Sequence, residues 1–278
     1  MQIDDEHTRR RRILKPLGPQ AGIRARRFRR GVYLLPSMLT MANMFCGYAC
    51  IVHAMRGELS TAALFIGFAF VLDMLDGRIA RLTGSTSDFG VQFDSLADVT
   101  SFGVAPAILS FKWGLEPLGQ IGWAAGFLFV AAAAVRLARF NIQSATQDKR
   151  YFVGLPSPAA AVVPAATVFA YPVGFQDYAV ALPVLSMVIV PALLMVSTIR
   201  YRSFKSVDLQ SRRSYPVLFL LAAALAAVAA SPQIVLVVMA YAYLAAGLIA
   251  FLWNRPRRRS PAEDQRREQP HTDDSVAL

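Results

Sequence analysis

Apolar and polar positions fall into long blocks along this chain rather than alternating. Between residues 31 and 253, apolar runs of about 16 to 24 residues follow one another, each long enough as a helix to cross roughly 30 Å of hydrocarbon. Eight runs are bounded by charge, proline or glycine: 33–55, 59–82, 91–113, 118–140, 157–173, 179–200, 215–230 and 233–253. The fifth carries Pro158 and Pro164 between Pro156 and Pro172, and the seventh is short. The pattern predicts an all-α, polytopic membrane helix bundle of about eight transmembrane helices, with nothing left over for a soluble domain. It divides the chain into a basic segment 1–30, a membrane-embedded domain 31–253 and a polar tail 254–278 expected to be disordered.

Charge orients this bundle. The 278 residues are 55% hydrophobic and yet carry a formal net charge of +11, a combination that suits a membrane protein better than a soluble enzyme. Eight spans put both ends on one side, and of the 29 Lys and Arg residues all but Arg56 and Lys112 then fall on that side. Cytoplasmic loops collect Lys and Arg, so both termini are expected in the cytoplasm. The stretch GIRARRFRRGVYLL from Gly22 mixes five arginines with Ile23, Phe28 and Leu34; it fits a short helix lying in the anionic interface, or a topology signal alone. The apolar run after it continues for a full span without a small-residue cleavage site, so a cleaved secretory signal is not expected. The arginines adjoin a span and no base-stacking module accompanies them, so nucleic acid is not an expected partner. Cys46 and Cys50 are four apart on one helix, a poor geometry for a disulfide, and are expected to serve packing. His7, His53 and His271 lie in the tails or at the far end of the first span, so histidine-based acid–base chemistry has no candidate near the acidic residues described next.

The chemistry concentrates in VLDMLDGRIARLTGSTSDFGVQFDSLADVTSFG, from Val71 to Gly103. Asp73 and Asp76 share one face of the second helix with Gly77 and Ala80, and Asp94 and Asp98 are four apart on the third. The connection 83–90 lies on the cytoplasmic side, so the two pairs can face each other across an antiparallel hairpin. About thirteen residues of helix, roughly 20 Å, separate Ser60 from Asp73, which puts it in the cytoplasmic half of the bilayer. Four clustered carboxylates there repel one another and are costly to desolvate, so they call for cations. Oxygen ligands with no nearby His or Cys point to Mg²⁺, Mn²⁺ or Ca²⁺. Gly77 and Ala80 leave a side-chain-free groove beside the acidic stripe, where a flat ligand can approach the backbone.

The spacing Asp73, two residues, Asp76-Gly77, two residues, Ala80-Arg81, eight residues, Gly90, three residues, Asp94, three residues, Asp98 resembles the signature of the CDP-alcohol phosphatidyltransferase family at every defined position. Asp88 lies outside it and is expected in the loop. The resemblance implies two divalent ions, Mg²⁺ or Mn²⁺, held by Asp73, Asp76 and Asp94 with Asp98 also touching a metal. It further implies that Asp98 is the base that deprotonates an acceptor hydroxyl, and that CMP leaves. Gly77, Ala80, Arg81 and Gly90, with Asp73, are implied to bind the CDP-linked lipid, and family members are homodimers.

LLPSMLTMANMFCGYACI in the first span, RLARFN at 136–141, KRYFVGLPSPAAA from Lys149 and STIRYRSFK from Ser197 are similar to the bacterial membrane-integral phosphatidylserine synthases of that family. That resemblance implies CDP-diacylglycerol and L-serine as substrates, and a bacterial cytoplasmic membrane with the active site on the cytoplasmic side. Serine carries a carboxylate and an ammonium, so its pocket needs a fixed cation and a polar partner; Arg136, Arg139 and Lys205, with Asn141, are the candidates. Glycerol 3-phosphate, an inositol phosphate or choline remain alternative acceptors. A cation transporter is the rival outside the family, but transporters place such residues near the midplane and often carry internal repeats; here the aspartates gather at one side and no repeat is evident.

Overall fold

The computed structural model of the chain describes residues 19–85, 87–143, 151–197, 200–202, 222, 226, 227 and 229–253. Among these the chain is helical apart from one short ribbon. The elements are α1 (Pro19–Met55), α2 (Leu59–Thr83), α3 (Asp88–Val99), α4 (Ala105–Ser110), α5 (Gln120–Gln143), β1 (Tyr151–Val153), α6 (Ser157–Ala170), α7 (Tyr178–Val196), β2 (Arg200–Arg202) and α8 (Pro232–Trp253). Four helical stretches are long and apolar enough to cross a membrane: Leu35–Met55, Leu59–Thr83, Gln120–Ile142 and Tyr178–Val196; Ser157–Ala170 and Pro232–Ala246 are shorter apolar helices.

The first span, expected over 33–55, is found at Leu35–Met55, and the arginine-rich stretch before it is helical and continuous with it, the helix starting at Pro19. Two expectations about the spans are corrected by the structure. The third apolar run, expected as one helix over 91–113, is segmented: π-helical turns at Thr100–Val104 and Phe111–Leu115 flank α4, and a 3₁₀ turn closes it at Glu116–Leu118. The sixth, expected to reach residue 200, stops at Val196, and the chain past it enters β2. The seventh run falls largely outside the described residues, as do the tail 254–278 and Lys205.

The segmented third run is the axis of the bundle. Asp98, Ser101, Phe102, Ala105, Leu109 and Trp113 are all buried, and α4 packs against α1, α2, α5, α6 and α7. A segment enclosed on every side reads as uniformly apolar, which is why its sequence shows no single buried stripe. Around it the other helices turn small residues inward, such as Ala62, Ala63 and Ala69 on α2 and Ala132 and Ala133 on α5, allowing the close backbone approach that stabilises helix pairs where lipid is as apolar as the helix.

The ribbon closes the bundle at the end where the aspartates lie. Tyr151 pairs with Arg202, Phe152 with Tyr201 and Val153 with Arg200, antiparallel. At Gly154 the chain turns with φ +84°, and a Cβ there would lie 2.5 Å from the Met195 carbonyl oxygen. The Leu155 N–H then donates to the Leu194 carbonyl at 3.0 Å, which docks the start of α6 under the end of α7. Gly154→Ala meets both a left-handed backbone and a blocked space, so it should cost at least about 1–3 kcal/mol; a fall in the detergent-solubilised melting temperature relative to wild type checks this.

Candidate active site

On α2 the buried stripe runs Leu59, Ala62, Ile66, Ala69 and then Asp76, with half-buried Asp73 beside it. The helix therefore changes from apolar to acidic along one face, and the charged end is held in the bundle by the apolar end. α2 closes at Thr83 with Gly84 in the left-handed conformation, and α3 opens after Ser87, whose hydroxyl accepts from the Gly90 N–H at 3.0 Å. Asp88, expected in the loop, is instead the first residue of α3 and is exposed, a placement favoured by the positive end of the helix dipole.

The short turn brings the two acidic pairs together. One carboxylate oxygen from each of Asp73, Asp76 and Asp94 lies within 4.8 Å of the other two. Asp98 is outside this trio but next to it, buried, and in the field of Asp73, Asp94 and Asp76. Among the described residues, the cations whose charge reaches these carboxylates are Arg136, acting on Asp73 and Asp98, and Arg81, acting on Asp76. Four acidic groups therefore face two cations, and the deficit lies within a helix bundle where an uncompensated charge is expensive.

The trio fits a divalent ion. Its donors are carboxylate oxygens alone, the set that Mg²⁺ and Mn²⁺ prefer. Asp94 Oδ1 is buried with no hydrogen-bond partner in the protein, which is costly for an acceptor unless something outside the protein satisfies it.

The remaining sequence candidates divide. Arg136 reaches the site: its Nη1 donates to Ser157 Oγ at 2.8 Å and its guanidinium lies 5.7 Å from the Phe140 ring centre. Arg139 turns the other way and donates to the Val196 carbonyl at 3.2 Å, closing the end of α7. Asn141 Nδ2 donates to Ser95 Oγ at 2.9 Å, tying α5 to α3 between Asp94 and Asp98. At Gly77 an added Cβ would meet only the Arg81 guanidinium within 4 Å, at 3.6 Å and 4.0 Å. Gly90 spends its N–H on the Ser87 cap. His53 pairs with Glu58 near the opposite end of α1, and Cys46 and Cys50 are free, buried thiols.

Sequence reasoning missed four residues. Thr40 and Asn43 on α1 contact Asp76 and Asp98, Ser157 anchors Arg136, and Tyr243 on α8 interacts electrostatically with Arg136. Their signal is weak: Thr40, Asn43 and Ser157 are buried polar residues amid apolar sequence, where polarity is the only cue, and Tyr243 is half-buried.

The family model of the CDP-alcohol phosphatidyltransferases matches residues 33–199. The chain belongs to that family. Among its relatives is a CDP-diacylglycerol–serine O-phosphatidyltransferase of Helicobacter pylori, 42% identical over 177 residues that make up 63% of this chain and 75% of the relative. An archaetidylserine synthase of Methanothermobacter thermautotrophicus is 38% identical over 169 residues, 60% of this chain and 69% of that one. A CDP-diacylglycerol–serine O-phosphatidyltransferase of Bacillus subtilis is 35% identical over 126 residues, 45% of this chain and 70% of that one. The matched region of this CDP-alcohol phosphatidyltransferase contains every member of the acidic cluster and Arg136.

Mn²⁺ titration of the purified protein, followed by electron paramagnetic resonance without substrate, tests the trio. Asn at position 73, 76 or 94 should weaken binding by more than about tenfold, since ligands matter at least as much as their supports, whereas Asp88→Asn should leave it unchanged.

Proposed function

We propose that the chain transfers the phosphatidyl group of CDP-diacylglycerol to the hydroxyl of L-serine, giving phosphatidylserine and CMP. The observation that carries this reading is the buried Asp98 beside the three converging carboxylates, with Arg136 as the cation whose charge acts on Asp98 and Asp73. The named relatives support the acceptor: serine is common to the names of the bacterial and archaeal proteins even though the lipid differs.

Asp73, Asp76 and Asp94, with Asp98 at their edge, would hold two Mg²⁺ or Mn²⁺ ions. Bound there, such ions neutralise charge on both the attacked phosphoryl group and the departing phosphate. Asp98 takes the proton of the serine hydroxyl. The freed oxygen forms a bond to the lipid-side phosphorus, the bond from that phosphorus to the bridging oxygen breaks, and CMP carries away the electron pair. Gly77, Ala80 and Gly90 shape the nucleotide side of the site, and Arg81 steadies the phosphates or Asp76. Arg136 pairs with the serine carboxylate, with Ser157 holding it in place. A phosphorylated acceptor such as glycerol 3-phosphate needs two or three converging cations; Arg139 is committed to the end of α7, so the described cations favour serine.

The location of the chemistry follows from the substrates. CDP-diacylglycerol has its tails in lipid and its nucleotide in water, so the reacting phosphates sit at an interface. With the positive-inside distribution of Lys and Arg, this places the site and both termini on the cytoplasmic side of a bacterial cytoplasmic membrane. About eight crossings and a homodimer complete this reading.

Two measurements test it. Protein in detergent, given CDP-diacylglycerol and Mn²⁺, should release CMP with serine and not with glycerol 3-phosphate, inositol phosphate or choline; release with glycerol 3-phosphate alone would overturn serine, and none with any acceptor would return the transporter. In the same assay Arg136→Ala should raise the KM for serine by about tenfold or more, the loss of a charge-assisted pair worth about 1.5–3 kcal/mol. Arg139→Ala should leave that KM unchanged.

A further inference from the structure

Two side chains of α1, three residues apart and therefore on one face, each touch a carboxylate from a different helix. The Thr40 hydroxyl lies 3.0 Å from Asp76 Oδ2, its proton shared with the Pro36 carbonyl at 3.1 Å. Asn43 Nδ2 donates to Asp98 Oδ1 at 3.2 Å. All four residues are buried, with exposures of 5% for Thr40, 0% for Asn43, 3% for Asp76 and 6% for Asp98, so water does not compete for these bonds. The α1 backbone is pinned at the same height: Ser101 Oγ donates to the Asn43 carbonyl at 2.8 Å. A Cβ on Gly47, one turn on, would lie 2.6 Å from Ser101 Oγ and 2.8 Å from its Cα, so the two helices meet there without a side chain between them.

We propose that Thr40 and Asn43 are positioning residues with separate duties: Thr40 sets Asp76 for a divalent ion, and Asn43 sets Asp98 for proton abstraction. This rests on the reading of Asp76 as a metal ligand and Asp98 as the base. Packing does not account for Asn43. Its Oδ1 is buried without a hydrogen-bond partner, an arrangement that costs about 1–3 kcal/mol and that an apolar side chain of similar shape avoids. The return on that cost is the N–H aimed at Asp98. Holding one carboxylate oxygen leaves the other to face the acceptor hydroxyl. Thr40 holds one oxygen of Asp76 in the same way, locking the rotamer that presents the carboxylate to the trio. Such supports behind a ligand or a base are typically worth 10–100-fold in metal affinity or activity.

Separate duties produce a crossed pattern that a shared scaffolding role does not. Thr40→Val, of the same shape without the hydroxyl, should raise the Mn²⁺ dissociation constant about 10–100-fold by electron paramagnetic resonance without substrate, and Thr40→Ser should restore it. Asn43→Ala should leave the KM for CDP-diacylglycerol unchanged and weaken Mn²⁺ binding far less than Thr40→Val does, because Asp98 lies only at the edge of the trio, while kcat falls about 10–100-fold. Equal loss of Mn²⁺ affinity in both variants, or wild-type behaviour in either, overturns the proposal. Monodisperse elution in detergent certifies the fold; if Asn43→Ala fails that criterion, Asn43→Ser, which retains a short donor, is measured against the same outcomes. Asp98→Asn, expected to bind CDP-diacylglycerol without turnover, is the reference. A turning-over Asp98→Asn, or wild type that binds no Mn²⁺, brings down the underlying reading of the site rather than the assignment of Thr40 and Asn43.

Discussion

Mutual repulsion among four carboxylates inside an apolar helix bundle is the constraint on which the rest of this structure depends. Asp73, Asp76, Asp94 and Asp98 cannot be relieved by water when two of them are buried, and Arg136 and Arg81 offset only part of their charge. The bundle must therefore hold them by packing and hydrogen bonds. Thr40 and Asn43 grip one carboxylate on each acidic helix, Ser157 fixes Arg136, and the apolar halves of α2 and the third run bury enough surface to keep the acidic halves in place.

The segmented third run serves the same end. A regular helix presents one stripe, but this segment must meet α1, α2, α5, α6 and α7 at once while aiming Asp94 and Asp98 at α2. The π-helical turn beginning at Thr100, two residues after the last of the four clustered aspartates, resets the face that follows; such turns inside helices are frequently found at functional sites. Ser101, the second residue of that turn, binds α1, so the departure from regular helix geometry coincides with the anchoring of Asn43. α8 packs against α6, and its Tyr243 interacts electrostatically with Arg136.

A site built this way suits a CDP-linked lipid. The acidic end of the bundle offers oxygen ligands suited to divalent cations, a Cβ at Gly77 would meet only the Arg81 guanidinium within 4 Å, and four of the helical stretches are long and apolar enough to cross a membrane. Arg136 differs from Arg139 in that its charge acts on Asp73 and Asp98, whereas Arg139 donates to the end of α7.

By itself the sequence determined the membrane character, the helical class and the four aspartates, because hydrocarbon thickness dictates the length of an apolar run and because Asp73 and Asp76, like Asp94 and Asp98, are close in sequence and share a helix face. Helix boundaries were nearly correct for α2, α5, α6 and α8, where proline, glycine or charge interrupts the run. The tertiary structure alone decided which cation lies near the carboxylates: Arg136 and Arg139 look alike in sequence, yet the charge of Arg136 acts on Asp98 and Asp73 while Arg139 donates to the Val196 carbonyl. It also decided the contacts of Thr40 and Asn43, which lie more than thirty residues before the carboxylates they touch. Sequence periodicity reports which face of a helix is buried; it does not report what that face meets.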